Sequence, residues 1–286
     1  MDLTSVKIIK ELLSEYDTQA LKGLGQNFLI NKNVLQKIID AAELKPDDIV
    51  LEIGPGVGTL TKELAQRVKK VIAVEKDKKM VEILKKTLGE FKNVEIINGD
   101  ALKTDFNFLK NYKLVANLPY YIASPVIRKF LENPPAGGQP ESMVLMLQKE
   151  VAQRICAKPP DMSLLSVSVQ FYAIPKIVSY VSKNCFWPSP KVDSAIIKIT
   201  PFSDGRRPTS SQLGRRRASF GFTKLFFKIV KAGFSQPRKQ LLGNLSKNLK
   251  LDKKQVVTWL VKNKISPQQR AETLSIEDWI NLTKTF

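Results

Sequence analysis

Histidine is absent from this 286-residue chain. That removes the commonest general base, proton shuttle and metal ligand at neutral pH. Thiols are nearly absent as well: Cys156 and Cys185 stand far apart, with no Cys-x-x-Cys pair. No metal centre is expected from so few ligands, and sparse cysteine fits a reducing compartment. Long hydrophobic runs are also missing, none approaching the roughly 20 residues that span a bilayer. The first residues mix Lys7, Lys10, Glu11 and Glu15 with Ile8, Ile9, Leu12 and Leu13. That is an amphipathic-helix pattern and not a secretory signal, so a cytoplasmic location without a membrane is expected.

Acidic residues are scarce relative to basic ones. Lys and Arg total 46 against 27 Asp and Glu, a formal net charge of +19. Each phosphate neutralised by such side chains releases counterions, so the balance points to a nucleic-acid partner; a generally basic proteome is the plainer alternative. The hydrophobic fraction of 43% suffices for a sizeable core, and the length suits a large domain plus a smaller one.

From residue 49 short apolar runs alternate with helical patterns. Strands are predicted at 49–53, 71–75, 94–97, 114–117 and 143–147, with helices at 59–68, 78–88 and 125–131. This βα alternation predicts an α/β fold with a mostly parallel sheet. Two later β-rich runs, 177–182 and 195–199, read as an antiparallel pair at the sheet edge. After residue 201 comes a Ser-, Gly- and Arg-rich stretch, 203–222, followed only by helical patterns at 224–234, 238–249, 253–262 and 276–282. Residues 1–201 are therefore expected to form one domain, and 202–286 a basic linker with a small helical domain.

Gly54-Pro55-Gly56-Val57-Gly58 follows the first strand of this series and opens a helix. Glycines there let the backbone approach a ligand, and the helix start offers free N–H donors. Glu75 ends the next strand about 20 residues on, the spacing that sets a carboxylate beside a ribose. Asp100 follows strand three, positioned to accept from an adenine amine, or merely to cap a helix. The glycine spacing departs from the G-x-G-x-x-G of dinucleotide binders and also suits S-adenosylmethionine.

Asn117-Leu118-Pro119-Tyr120 ends the fourth strand, at the carboxyl edge where α/β sheets bind ligands. The exocyclic nitrogen of adenine is a poor nucleophile because its lone pair is delocalised into the ring. The Asn117 amide oxygen and the Leu118 carbonyl could each accept one of its N–H groups and aim the lone pair at a methyl donor. Such catalysis is positioning and electrostatics, and suits a chain without histidine. Pro119 stiffens the turn, and Tyr120 offers a stacking face. Phe186, in Phe186-Trp187-Pro188-Ser189-Pro190-Lys191-Val192-Asp193-Ser194, is expected to cover the other face of the base, with Trp187 the better candidate for core packing.

These strings, with Gly25-Gln26-Asn27-Phe28-Leu29, Glu52-Ile53-Gly54-Pro55-Gly56 and Gln148-Lys149-Glu150-Val151-Ala152, closely resemble the ribosomal-RNA adenine dimethyltransferases. Phe234-Ser235-Gln236-Pro237-Arg238-Lys239 and Arg270-Ala271-Glu272 are similar to the bacterial small-subunit (KsgA-type) branch. The resemblance covers nearly the whole chain. It implies a Rossmann-like S-adenosylmethionine-dependent methyltransferase domain and an all-helical C-terminal domain that helps dock on rRNA. It also implies dimethylation of two adjacent adenines near the 3′ end of small-subunit rRNA, late in assembly, with the immature small subunit as partner. Gln26, Asn27, Leu29, Gly54, Gly56, Glu75, Asp100, Ala101 and Asn117 would lie at the cofactor. Asn117, Leu118, Pro119, Tyr120 and Phe186 would handle the base. A monomer is the simplest expectation.

Two stretches depart from the family pattern: Lys158-Pro159-Pro160-Asp161-Met162-Ser163 replaces a Gly/Tyr-containing segment, and the basic stretch after residue 203 is longer than usual. A large-subunit rRNA methyltransferase of the antibiotic-resistance type shares the fold and a similar tetrapeptide, but the helical tail argues against it. An assembly factor for which binding matters more than methylation is the alternative from another class. A dehydrogenase is disfavoured by the glycine spacing, and a DNA adenine methyltransferase by the lack of a target-recognition domain.

Overall fold

The structure, a computed structural model, describes residues 1–202 and 220–286. Most of the basic stretch singled out above, residues 203–219, lies outside the described residues. Helix α1 (Val6–Glu15) precedes a two-residue strand β1 (Phe28–Leu29) and helix α2 (Lys32–Ala42). The alternating region follows as β2 (Ile49–Ile53), α3 (Thr59–Ala65), β3 (Lys70–Glu75), α4 (Lys78–Thr87), β4 (Val94–Asn98), β5 (Tyr112–Asn117), α5 (Ala123–Glu132) and β6 (Ser142–Gln148). Then come α6 (Lys149–Ile155), α7 (Leu164–Tyr172), β7 (Ala173–Val181), β8 (Phe186–Trp187) and β9 (Ser194–Pro201). The tail comprises α8 (Phe220–Gly233), α9 (Leu241–Leu249), α10 (Lys253–Lys262) and α11 (Ile276–Lys284).

Seven strands form one Rossmann-like sheet in the order β4-β3-β2-β5-β6-β9-β7, while β1 and β8 pair separately. Strands β2 to β6 run parallel, and β9 is antiparallel to β6. The central strands are apolar almost without a break because helices cover both faces; Val71, Ile72, Ala73 and Val74 are all buried. The strand order turns back between β2 and β5, which opens a crevice at their carboxyl ends.

Local rules explain the flanking helices. The Asn31 side chain accepts from the Val34 N–H and caps α2. The helix then buries Val34, Leu35, Ile38, Ile39 and Ala42, a 3.6-period stripe, in the core with Leu60, Leu64, Val115 and Val144. Helix α1 buries Ile9, Leu12 and Leu13 with Val57, Met80 and Ile83. Each such side chain contributes about 1.5–3 kcal/mol. The Thr59 hydroxyl also donates to the Leu3 carbonyl at 3.0 Å, tying the start of the chain to the first turn of α3.

The chain divides into two compact units: Met1–Ala152 with Pro175–Pro201, and Gln153–Ile174 with Phe202–Phe286. One break falls after Pro201, and the segment Gln153–Ile174, expected within the first domain, groups with the tail. Segment Gln153–Ile174 belongs with the tail because its aromatics pack there. Phe171 stacks on Phe226 at 4.2 Å, Tyr172 stacks on Phe227 at 5.9 Å, and the Met162 N–H donates to the Glu272 carbonyl at 2.9 Å. Capping boxes at Asp252–Gln255 and Ser275–Asp278 start α10 and α11. Among the described residues no helix is long and apolar enough to cross a membrane.

Candidate active site

Strand β2 delivers the glycine turn. Gly54 and Gly56 both adopt left-handed backbone conformations, φ +69° and +59°, which glycine enters without penalty. Space is tight as well: a Cβ on Gly54 would lie 3.2 Å from Pro119 Cδ and one on Gly56 3.1 Å from the Phe28 ring, so each neighbour would have to give way slightly. The turn thus runs as bare backbone between the β5 tetrapeptide and β1.

Beside it, Glu75 closes β3. Its carboxylate accepts the Gly56 N–H at 3.2 Å and the Asp77 N–H at 2.9 Å. Burial pushes the carboxyl pKa upward, and these backbone donors oppose the rise. A carboxylate has about four lone-pair positions, so ribose hydroxyls can still be accepted. Asp100, after β4, accepts from the Leu102 N–H at 3.0 Å and pairs with Lys76 at 3.1 Å, and these two partners lower its pKa. It caps the following turn and also lines the cavity.

One cavity gathers Gln26, Asn27, Leu29, Gly54, Gly56, Glu75, Asp100, Ala101, Asn117, Leu118, Pro119 and Tyr120. Gln26 reaches it mainly as a brace, since its amide donates to Asp77 at 2.8 Å and accepts from the Leu21 N–H at 2.8 Å. Asn117 is held more tellingly. Its Nδ2 donates to the Asn27 carbonyl at 3.2 Å, leaving Oδ1 as the side chain's remaining hydrogen-bonding atom. The Leu118 N–H donates to the Met146 carbonyl at 3.2 Å, which fixes the tetrapeptide to β6. Tyr120 shares a 2.7 Å hydrogen bond with the buried Ser194 hydroxyl. Burial raises the Tyr120 pKa, so the phenol stays neutral in physiological conditions.

Phe186 requires a correction. It does not line the cavity: β8 pairs with β1 in the register Leu29↔Phe186, and the Phe186 ring is 3% exposed, packed against the core around Leu29 and Val181. Trp187, expected to pack in the core, is half-buried against the cluster of Leu12, Phe28 and Met80, stacks on Phe28 at 6.4 Å and lies under the Lys10 ammonium at 5.5 Å. In a strand successive side chains point to opposite sides, so the two rings pack against different clusters and neither reaches the cavity. Besides Tyr120, the aromatic residues lining the cavity are Phe28 and Tyr121, the latter 52% exposed.

Sequence reasoning also passed over three polar side chains. Glu52 lines the cavity at 1% exposure, and its Oε2 has no hydrogen-bond partner among the described residues. Burial pushes its carboxyl up to about 8, and the nearby Glu75 adds to this; the Thr61 hydroxyl beside it pulls the other way, although its geometry falls short of a hydrogen bond. Its signal was a lone acid within an apolar strand. Lys76 could be read only as the residue after Glu75. Lys129, on α5, donates to the carbonyls of Ala101, Leu102 and Thr104 at 3.0, 3.1 and 2.7 Å. It thereby clamps the loop that carries Asp100, a role with no local sequence signature.

The site thus combines a bare glycine turn, two carboxylates at adjacent strand ends, and an amide oriented by the backbone. It offers hydrogen-bond positioning and no strong base. Among the described residues no cluster of three or more His, Cys, Asp or Glu could hold a metal ion.

Known proteins resemble this chain in sequence and fold. Residues 18–286 match the family model described as ribosomal RNA adenine dimethylase. A ribosomal RNA small subunit methyltransferase A from Dehalococcoides mccartyi is 46% identical over 96% of this chain and 90% of its own length. One from Clostridium botulinum is 43% identical over 96% of both chains. Among solved structures, a dimethyladenosine transferase from Plasmodium falciparum has a TM-score of 0.72 at 30% identity, covering 88% of this chain and 94% of its own. The 23S rRNA methyltransferase ErmE has a TM-score of 0.71 at 27% identity, covering 91% and 99%. The chain belongs to the ribosomal RNA adenine dimethylase family and is an rRNA adenine dimethyltransferase.

Proposed function

We propose that this protein dimethylates the exocyclic nitrogens of two adjacent adenines near the 3′ end of small-subunit rRNA, using S-adenosylmethionine. The substrate is the immature small subunit in the cytoplasm, and the protein acts on it as a monomer. The observation that carries the reading is Asn117, whose Nδ2 is committed to the Asn27 carbonyl so that Oδ1 serves as an acceptor at the end of β5.

The residues present fit the cofactor. The glycine turn admits a ligand against the backbone, Glu75 suits ribose hydroxyls, Asp100 suits an adenine amine, and the unpartnered Glu52 Oε2 awaits a polar group. S-adenosylmethionine supplies an activated methyl group on a sulfonium. Asn117 Oδ1 and the Leu118 carbonyl then accept the N–H groups of the target amine, which favours a pyramidal nitrogen with its lone pair free. Tyr120 supplies a stacking face and Tyr121 a second ring at the mouth. Two such contacts at about 1–3 kcal/mol each offset the few kcal/mol needed to unstack a base.

The names and near-complete coverage of the bacterial relatives support the small-subunit branch, and the basic net charge supports an rRNA partner. The helical unit of Gln153–Ile174 and Phe202–Phe286 suits docking on the ribosome. The test incubates purified protein with S-adenosylmethionine and small subunits lacking dimethyladenine, then maps modified nucleotides by mass spectrometry. Adjacent dimethyladenines near the 3′ end are expected. Product only on naked large-subunit rRNA would overturn the choice of branch.

A further inference from the structure

The cavity uses one side of the sheet's carboxyl edge, at β4, β3, β2 and β5. The other side carries a second set of side chains beside the tetrapeptide. Asn117 pairs in register with Met146 on β6, and Gln148 at the end of β6 pairs with Ser194 on β9. Ser194 holds the Tyr120 hydroxyl. The Lys149 N–H donates to the Asp193 carbonyl at 2.9 Å, and the Lys183 N–H donates to the Asp193 carboxylate at 3.0 Å. These bonds fix the start of α6, the turn before β9 and the turn after β7 against one another. On this fixed rim Tyr180 is 52% exposed, with the Lys149 ammonium 5.2 Å from its ring centroid.

We propose that Tyr180 and Lys149 form a shelf that takes a nucleotide flanking the target adenine, the base stacking on the ring and a phosphate meeting the ammonium. This rests on the reading of the site as an rRNA adenine methylation centre. Three features support it. The shelf continues the catalytic edge, three strand spacings or about 14 Å from β5, a distance that neighbouring nucleotides cover. An exposed aromatic beside a cation is a sequence-tolerant platform for single-stranded nucleic acid. Finally, Lys149 and Lys183 are both exposed, and their N–H groups are bonded to Asp193 at this rim.

The test compares full-length wild type with Tyr180→Ala, Tyr180→Phe and Lys149→Gln on small subunits lacking dimethyladenine, measuring kcat, KM for subunits and cofactor affinity. Losing one stacking contact should raise KM for subunits roughly 5- to 150-fold in Tyr180→Ala. Cofactor affinity should be unchanged and Tyr180→Phe should remain near wild type. Lys149→Gln should lower the slope of log affinity against log salt by about 1. A photoreactive aromatic introduced at position 180 should crosslink to rRNA. Unchanged KM in Tyr180→Ala, or crosslinking only to a ribosomal protein, overturns the shelf while methylation by the wild type leaves the site reading intact. Wild-type protein that methylates no rRNA adenine overturns both.

Discussion

At the ends of β4, β3, β2 and β5, Asp100 and the buried Glu75 accept from backbone N–H groups, and no side chain intrudes at the glycine turn. At the ends of β6, β9 and β7 the same sheet edge carries exposed lysines and a tyrosine on a rim held by main-chain bonds. The first half suits a small ligand rich in hydroxyls and amines, which needs fixed acceptors in a dry setting. The second suits a long polyanion, which needs cations that remain hydrated until it arrives. Asn117 stands where the halves meet, and that is where two substrates must be brought together.

The contrast breaks most sharply at that junction. Asn117→Ala should slow methyl transfer on the order of 100-fold or more, the usual cost of one preorganised hydrogen-bonding group at a reacting centre. Single-turnover assays check this, and a near-normal rate would move the catalytic role elsewhere in the tetrapeptide. On the cofactor side, Glu75→Ala should weaken S-adenosylmethionine binding by about 1.5–3 kcal/mol, read by calorimetry. Unchanged affinity there would refute the ribose assignment. Behind that half, Lys129→Met leaves three carbonyls without their donor and should cost about 1–3 kcal/mol of stability, with weaker cofactor binding beside a lowered melting temperature. A variant equal to wild type in both would mean the Asp100 loop holds itself.

The smallest effect concerns pH. Glu52 has its carboxyl pushed above the ordinary value, to about 8, and Glu75 is shifted in the same direction. An acid whose folded pKa exceeds its unfolded one favours the fold while protonated. Its contribution is complete below the unfolded pKa of about 4.5 and is lost as pH rises toward about 8. Wild type should therefore lose stability relative to Glu52→Gln between about pH 5 and 8. Parallel denaturant titrations across that range would show it, and parallel curves for the two proteins would mean that Glu52 ionises freely.

Much of this contrast was legible in the chain. Strands β2 to β6 and the tail helices announce themselves by period and punctuation, and the glycine turn, Glu75, Asp100 and the tetrapeptide fall at strand ends, where chemistry is expected. The misses share a cause. Whether Phe186 faces the cavity or the core depends on pairing with Leu29, a residue far earlier in the sequence, and a two-residue strand carries no alternation to read. The boundary at Gln153 depends on Phe171 and Tyr172 finding Phe226 and Phe227 beyond β9. Lys129 answers to three carbonyls on another loop. Period reveals which face of an element is apolar, but not which distant face it meets.

The bond from Asn117 to the Asn27 carbonyl also explains why a carboxamide occupies that position. The side chain meets an acceptor on one side, the backbone carbonyl, and in the proposed reaction a donor on the other, the target amine. Only a group that donates with one atom and accepts with another satisfies both at once. Aspartate in its place would set two negative oxygens against those neighbours, one of them facing a carbonyl of like polarity. It could restore the arrangement only by holding a proton. Exchanging one nitrogen for oxygen, the smallest change the residue permits, would turn a permanently set hinge between backbone and substrate into one that acidity controls.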